Sequence, residues 1–145
     1  MKHHRSVRKS SALAIIAIVG MILTLFPAQL FAGTSTSRLA GNDRISTALA
    51  IGDAFGDADT VILAPAENAH LVDSLAVAPL AGKVSPIYRT SKNRLDANVK
   101  TRLTNKNVFV VGAITDPVYA EVQKVARFTS RLSGANRLET NAKIN

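Results

Sequence analysis

Residues 107–122 read NVFVVGAITDPVYAEV, and this stretch decides the fold. Asn107–Ala113 is the clearest strand in the chain, a short apolar run rich in β-branched side chains. Two residues on, Asp116 and Pro117 predict a helix start, with Asp116 as N-cap and Pro117 at the first helical position. A strand followed so closely by a helix is one step of an alternating α/β chain. The same step recurs upstream. DADTVILAPA (57–66) has a β-branched apolar core, Thr60–Ala64, that suits a strand buried on both faces. HLVDSLAVAPLAGK (70–83) predicts a helix broken or kinked near Pro79 and closed by Gly82. SPIYRT (85–90) is a short strand. Arg94–Leu103 is a polar helix with Leu95, Val99 and Leu103 on one side. Downstream, FTSRLSG (128–134) is a last strand and ANRLETNAKI (135–144) a helix that has only begun. Alternation with short connections predicts an α/β fold with a mostly parallel central sheet.

Before the first strand lies GNDRISTALAIGDAF (41–55), a helix with Asn42 or Asp43 as N-cap and Ile45, Ala48, Leu49 and Ile51 as its buried stripe. Its opening phrase, RLAGNDRISTA (38–48), returns 93 residues later as RLSGANRLETN (131–141). Arg38, Leu39, Gly41, Arg44, Thr47 and Ile51 meet Arg131, Leu132, Gly134, Arg137, Thr140 and Ile144. A period of that length is too long for a solenoid unit of roughly 20–50 residues and fits an array of whole units. The sequence therefore divides into residues 33–130, one complete unit, and residues 131–145, the start of a second, incomplete one. The final helix, Asn136–Ile144, lacks the partners such a unit supplies and is expected to be poorly packed.

Residues 1–32 differ from the rest. Arg5, Arg8 and Lys9 precede an apolar run, Ser11–Phe26, and a small residue, Ala32, stands before the polar GTSTS. This is the pattern of a signal peptide cleaved after Ala32. The alternative is an uncleaved anchor, but about 16 apolar residues fall short of the roughly 20 that cross a bilayer. There is no cysteine, which suits an exported bacterial protein better than a disulfide-forming secretory route. Of the 18 Lys and Arg residues, 4 lie in this segment, whereas all 10 acids follow it, so the remainder carries 14 cations against 10 acids. The excess is local. Lys83, Arg89, Lys92, Arg94, Lys100, Arg102 and Lys106 face a single acid, Asp96, in the same stretch. Such a block favours polyanions.

RLAGNDRISTALAI, ADTVILAPAENAHLVDSLAVAPLAGKVSPIYRT, NVFVVGAITDPVYAEV and RLSGANRLETNAKI together resemble the type-2 cell wall-binding repeat of secreted Gram-positive surface proteins and autolysins. The resemblance covers about Ser37–Asn145. It implies an α/β repeat present in three copies that pack as a pseudo-trimer and hold a protein non-covalently to anionic wall polymers. Any catalysis lies in a separate attached domain. The sequence departs from the family's commonest pattern at Ile45 and Leu138, where an aromatic is usual. APAENAHLV is longer than the usual segment, DSLA replaces DALS, and VGAI lacks the usual double glycine. One complete unit also does not make the three-unit platform.

The candidate ligand-binding residues are Arg44, Lys83, Arg89, Lys92, Arg94, Lys100 and Arg102, because arginine grips phosphate or carboxylate with paired N–H groups and several modest contacts add up along a polymer. Arg44 stands at a helix N-terminus, where a cation is electrostatically misplaced. It therefore serves a salt bridge to Asp73 or a neighbouring acid, an anionic ligand, or the geometry of the unit's own edge. Arg38 is placed at a strand end with the same structural alternative. Glu67, His70, Asp73 and Ser74 lie close together, and His70 and Ser74 share a helix face, but no nucleophile elbow surrounds the serine. His70 is the one histidine after the signal segment, so metal ligation has no second imidazole or thiolate. Phosphate-cradling glycine motifs are missing, and no cofactor is expected. Nucleic acid is disfavoured by export and by Tyr88 being the one aromatic amid the basic block. The reading is a secreted, non-enzymatic module at the cell wall or surface, touching membrane only through the uncleaved signal segment. Its partners are an anionic wall glycopolymer and other copies of the repeat. The alternative is the amino-terminal part of a peptidoglycan hydrolase of the N-acetylmuramoyl-L-alanine amidase type.

Overall fold

The computed structural model describes residues 36–82 and 85–144. The chain separates into Met1–Ser37 and Arg38–Asn145. Of the first unit the two described residues are exposed and irregular, and the expected export segment lies outside the described residues, as does Lys83. No helix among the described residues is long and apolar enough to cross a membrane.

The second unit is a three-layer α/β/α domain. Helix α1 (Arg44–Phe55) opens on a reciprocal cap: the Asp43 carboxylate accepts from the Ser46 amide at 2.7 Å, and Ser46 Oγ accepts from the Asp43 amide at 3.0 Å. Strand β1 (Thr60–Pro65) follows and is almost wholly buried. The expected helix over 70–83 is a short 3-10 turn (Asn68–His70) and two pieces, α2 (Leu71–Ala76) and α3 (Ala78–Ala81), which meet at Val77. Pro79 has no N–H for the Leu75 carbonyl, which explains the break. Strand β2 spans Ile87–Thr90. Helix α4 (Ala97–Leu103) begins later than the expected Arg94 because Asp96 takes the N-cap, accepting from the amides of Asn98 and Val99 at 2.9 and 3.2 Å.

Strand β3 (Asn107–Val111) leads to α5 (Asp116–Gln123). Here the expected cap is corrected. Thr115 is the N-cap, so Asp116 and Pro117 are the first two helical residues, still within the turn whose amides need no helical acceptor. The helix ends at Gln123, and Phe128 opens strand β4 (Phe128–Leu132). Helix α6 (Arg137–Ile144) closes the described chain.

All four strands are parallel, in the order β2-β1-β3-β4. Alternation along each strand sorts the core into two layers. Val61, Leu63, Tyr88, Val108 and Val110 point to α1, α4 and α5, where they meet Leu95, Val99, Leu103, Ile114, Val118 and Val122, with Ile45 and Leu49 alongside. Ile62 and Val111 point the other way, to Val77, Ala81 and Ile144, with Phe109, Ile87 and Leu132 half-buried beside them.

The expectation of a poorly packed final helix is therefore wrong. Thr140 and Ile144 are buried, one turn apart on the face of α6 that meets α2 and the sheet. These two side chains seat the helix on the first unit, while its opposite face, with Leu138, stays exposed.

The repeated phrase also builds the same local device twice. The Gly41 amide donates to Thr47 Oγ1 at 3.0 Å, and the Gly134 amide donates to Thr140 Oγ1 at 2.9 Å. Asp43 accepts from the Ser46 amide, and Asn136 accepts from the Glu139 amide at 3.0 Å. A Cβ at Gly41 would stand 2.3 Å from Ser46 Oγ, and one at Gly134 2.2 Å from Glu139 Cβ, so both turns require glycine. The two helices then bury opposite faces. In α1 Ile45 packs into the core while Ile51 is 49% exposed; in α6 their counterparts reverse, with Leu138 83% exposed and Ile144 at 8%. The expected burial of Ile51 is thus also corrected. Arg131 lies in β4, paired along β3, whereas its counterpart Arg38 lies in exposed irregular chain rather than at a strand end.

Equivalent positions should respond unequally to truncation. Ile144→Ala removes a buried side chain and should cost about 2 kcal/mol, whereas Ile51→Ala should stay within about 0.5 kcal/mol. Urea denaturation of both variants measures the contrast; equal losses would contradict the assigned packing of α6.

Candidate functional site

The order of the strands places the site. From β1 the chain steps to β2 on one side and then to β3 on the other, so the loops after β1 and β3 diverge at their carboxyl ends. Open parallel sheets bind ligands at such a reversal. Here the loops are tied together through Glu67. Its Oε1 accepts from Ser91 Oγ and from the Lys92 amide, each at 2.9 Å. The Lys92 carbonyl in turn accepts from the amide and the hydroxyl of Thr115, at 3.0 and 2.9 Å. Glu67 thus joins the loops that follow β1 and β2, and the Lys92 carbonyl joins the latter to the loop after β3. Burial pushes the Glu67 carboxyl up, but the Lys92 and Glu67 amides, the Ser91 hydroxyl and the His70 imidazole together outweigh it and hold it below its ordinary value of 4.5.

The two helix-start arginines grip the same loop. Arg44 Nη1 donates to the Ala66 carbonyl at 3.1 Å, and Arg137 Nη2 donates to the Ala69 carbonyl at 3.3 Å. The salt bridge from Arg44 to Asp73 does not form; Asp73 faces His70 at 3.8 Å instead. Ser74 Oγ is buried without a hydrogen-bond partner, so His70 does not activate it. The loop after β3 passes close over Asp73, since a Cβ at Gly112 (φ +70°) would stand 2.4 Å from its Oδ2.

The six described candidate cations do not form one cluster. Arg44 and Arg89 line a groove of about 810 Å³ between α1 and the α2–α3 segment, beside the edge strand β2. Arg89 Nη1 is buried and has no partner. Burial lowers the pKa of this guanidinium, and the like charge of Arg44 lowers it further. Lys92 and Arg94 lie in the turn after β2, held by their backbones. Lys100 and Arg102 are on α4. Arg102 forms a fork on Asp53 at 2.7 and 2.8 Å, and this hydrogen-bonded partner holds the Asp53 carboxyl below its usual range. Lys106 pairs with Asp57 in the same way, one step further on. Arg127 pairs with Asp59 at 3.8 Å. Arg131 pairs with Asp116, donates to the Ile114 carbonyl and lies 5.3 Å from the Tyr119 ring centroid. Among the described residues, Arg44, Arg89, Lys92, Arg94 and Lys100 have no carboxylate partner.

Sequence reasoning missed the groove, whose apolar wall comes from Ala48, Ile51, Phe55 and Leu71. It also missed the Asp53–Arg102 and Asp57–Lys106 pairs, although acids and bases at a matched spacing of four were a readable signal.

Loops tied together through Glu67 and the Lys92 carbonyl, beside cations with no described acid partner, are an arrangement suited to holding a ligand. The chain belongs to the cell wall binding domain 2 (CWB2) family, whose model matches residues 38–115. That domain is a cell wall-binding module. The chain is 28% identical over 142 residues to the N-acetylmuramoyl-L-alanine amidase LytC of Bacillus subtilis (strain 168), covering 92% of this chain and 28% of the amidase. Among solved structures it is similar to Cwp8 from Clostridium difficile, with a TM-score of 0.67 and 27% identity over 75% of this chain and 19% of that one. The chain spans less than a third of the length of either relative.

Because the folded Glu67 titrates below its unfolded value, its contribution is fully present above 4.5 and is lost as pH falls through the folded value. Glu67→Gln should therefore be less stable at neutral pH, by about 1 kcal/mol after allowing for partial exposure. The gap from wild type should close in acid. Chemical denaturation from pH 7 to pH 3 checks this, and a gap that widened in acid would contradict the assigned role.

Proposed function

We propose that the chain is a secreted, non-catalytic module that holds a protein at the bacterial surface through an anionic wall glycopolymer. The observation that carries this reading is the uneven neutralisation of charge. Arg102, Lys106, Arg127 and Arg131 are occupied by acids, whereas Arg44, Arg89, Lys92, Arg94 and Lys100 have no such partner among the described residues. Those five offer cations to a polyanion without first breaking an ion pair. Lys83 joins them on sequence grounds. Arg102 contributes less, because a ligand must compete with Asp53. Export through residues 1–32 and a division at residue 131 belong to the same proposal, as does contact with other copies of the repeat. A second reading, that the chain is the binding part of an amidase-type peptidoglycan hydrolase, is favoured by the likeness to LytC. In either case the chain alone should release no soluble fragments from purified walls.

Retention on purified walls, before and after removal of their anionic polymers, tests the proposal. Retention should fall when the polymers are stripped and should weaken as salt rises, because exposed charges are screened. Replacing Lys92, Arg94 and Lys100 together by glutamine should lower apparent affinity about tenfold, as three modest contacts are lost. Equal retention on stripped and intact walls would overturn it.

A further inference from the structure

We infer that the groove between α1 and α2–α3 is a subsite for one charged sugar unit, with a phosphate or carboxylate seated between Arg44 and Arg89. This rests on the wall-binding reading but adds a specific pocket to it. Three observations converge. Arg89, partly exposed as a residue, carries a buried Nη1 with no acceptor, and a buried N–H left unpaired is costly. Ser74, 5% exposed, lines the same groove with an unpartnered Oγ, which can donate to an oxyanion. Arg44 adds a second cation near enough to depress Arg89. The one described acid in the lining, Asp43, is engaged by the amide and hydroxyl of Ser46. The groove therefore offers two cations and a hydroxyl in its lining.

The rest of the lining suits the body of the ligand. Ala48, Ile51, Phe55 and Leu71 make an apolar wall that the weakly polar faces of a pyranose ring can cover. From Arg44 to Phe55 the groove follows α1 for about 16 Å, at roughly 1.5 Å per residue. That is long enough for a short run of sugars with one charge held at the arginine end. An extended peptide fits less well, because α1 packs along β2 and obstructs strand addition at that edge.

Calorimetric titration with inorganic phosphate, glucuronate and neutral glucose provides the test. Phosphate reads the tetrahedral source of charge and glucuronate the planar one. At least one of the two should bind saturably, and glucose alone should not compete. Arg89→Met should weaken binding about tenfold or more, as expected for a lost charge-assisted hydrogen bond, and Ser74→Ala about threefold. Lys124→Gln, on the exposed residue just past α5, should leave it unchanged. If Arg89→Met fails to fold, amide shifts of the wild-type chain on titration decide: the Ser74, Ala48 and Ile51 amides should move together. Binding that survives Arg89→Met in a folded chain, or shifts confined to other residues, would overturn the subsite. So would no binding of either oxyanion, or an Arg89-dependent dimer in place of ligand binding. Walls retained normally while both probes fail would sink the subsite and leave the wall-binding reading standing. Arg89-dependent probe binding without wall retention would do the reverse.

Discussion

The structure depends on the burial of β1 between β2 and β3. An interior parallel strand has its backbone groups paired on both sides and its side chains covered on both faces, so it must be apolar along its length. Val61 to Ala64 meet that demand, and every other element is placed by them. Val61 and Leu63 seat α1, α4 and α5, and Ile62 helps to seat α2, α3 and α6. Because both faces are used for packing, polar chemistry is confined to the strand ends. That is why Glu67, in the loop just past β1, and the Lys92 carbonyl can link three loops in series. Arg89 on the edge strand and Lys92 and Arg94 in its following turn likewise stand at that margin, with no described acid partner.

The doubled phrase shows how one short sequence serves two packing roles. Gly41–Thr47 and Gly134–Thr140 form the same capped turn, and the arginine after each cap reaches a carbonyl of the Ala66–Ala69 loop. The helices beyond then diverge. In α1 the face carrying Ile45 and Leu49 is consumed by β2 and α4; in α6 the face carrying Thr140 and Ile144 is consumed by α2 and the sheet. Each helix leaves free the face that the other buries. A helix that buries both faces would join two units rigidly, since its one end would belong to the core before it and the other side to the core after it.

Much of this was legible in the sequence, because strand–helix alternation is written in local patterns. The four strands, the break near Pro79, the stripe of Leu95, Val99 and Leu103, and the family itself could be read from residues near one another. What could not be read depends on pairs distant in sequence. The seat for α6 is made of Ile62, Val77 and Val111, none of them near Ile144 in the chain. Placing Thr115 rather than Asp116 at the cap turns on which residue leaves helical geometry, a choice that neighbouring loops decide through the Lys92 carbonyl. The candidate cations stand out in the sequence as a block of charge. A block, however, says nothing of which members have acids waiting for them.

That last distinction controls what the charge can do. A cation already forked on a carboxylate, like Arg102 on Asp53, gains little from a new anion because the old contact must be lost or shared. A cation held against backbone carbonyls, like Arg44 on Ala66, keeps its charge uncompensated while its geometry is fixed. Arg89 goes further, since burial has already removed part of its water and its Nη1 faces no acceptor. The ordering cost and some of the desolvation cost are thus met by folding, before any ligand arrives. A net excess of a few positive charges is modest as a long-range field. On the proposed reading, its effect on binding comes from cations that folding leaves without an acid, such as Arg44 and Arg89 in the groove and Lys92 and Arg94 in the turn after β2, rather than from the basic stretch as a whole.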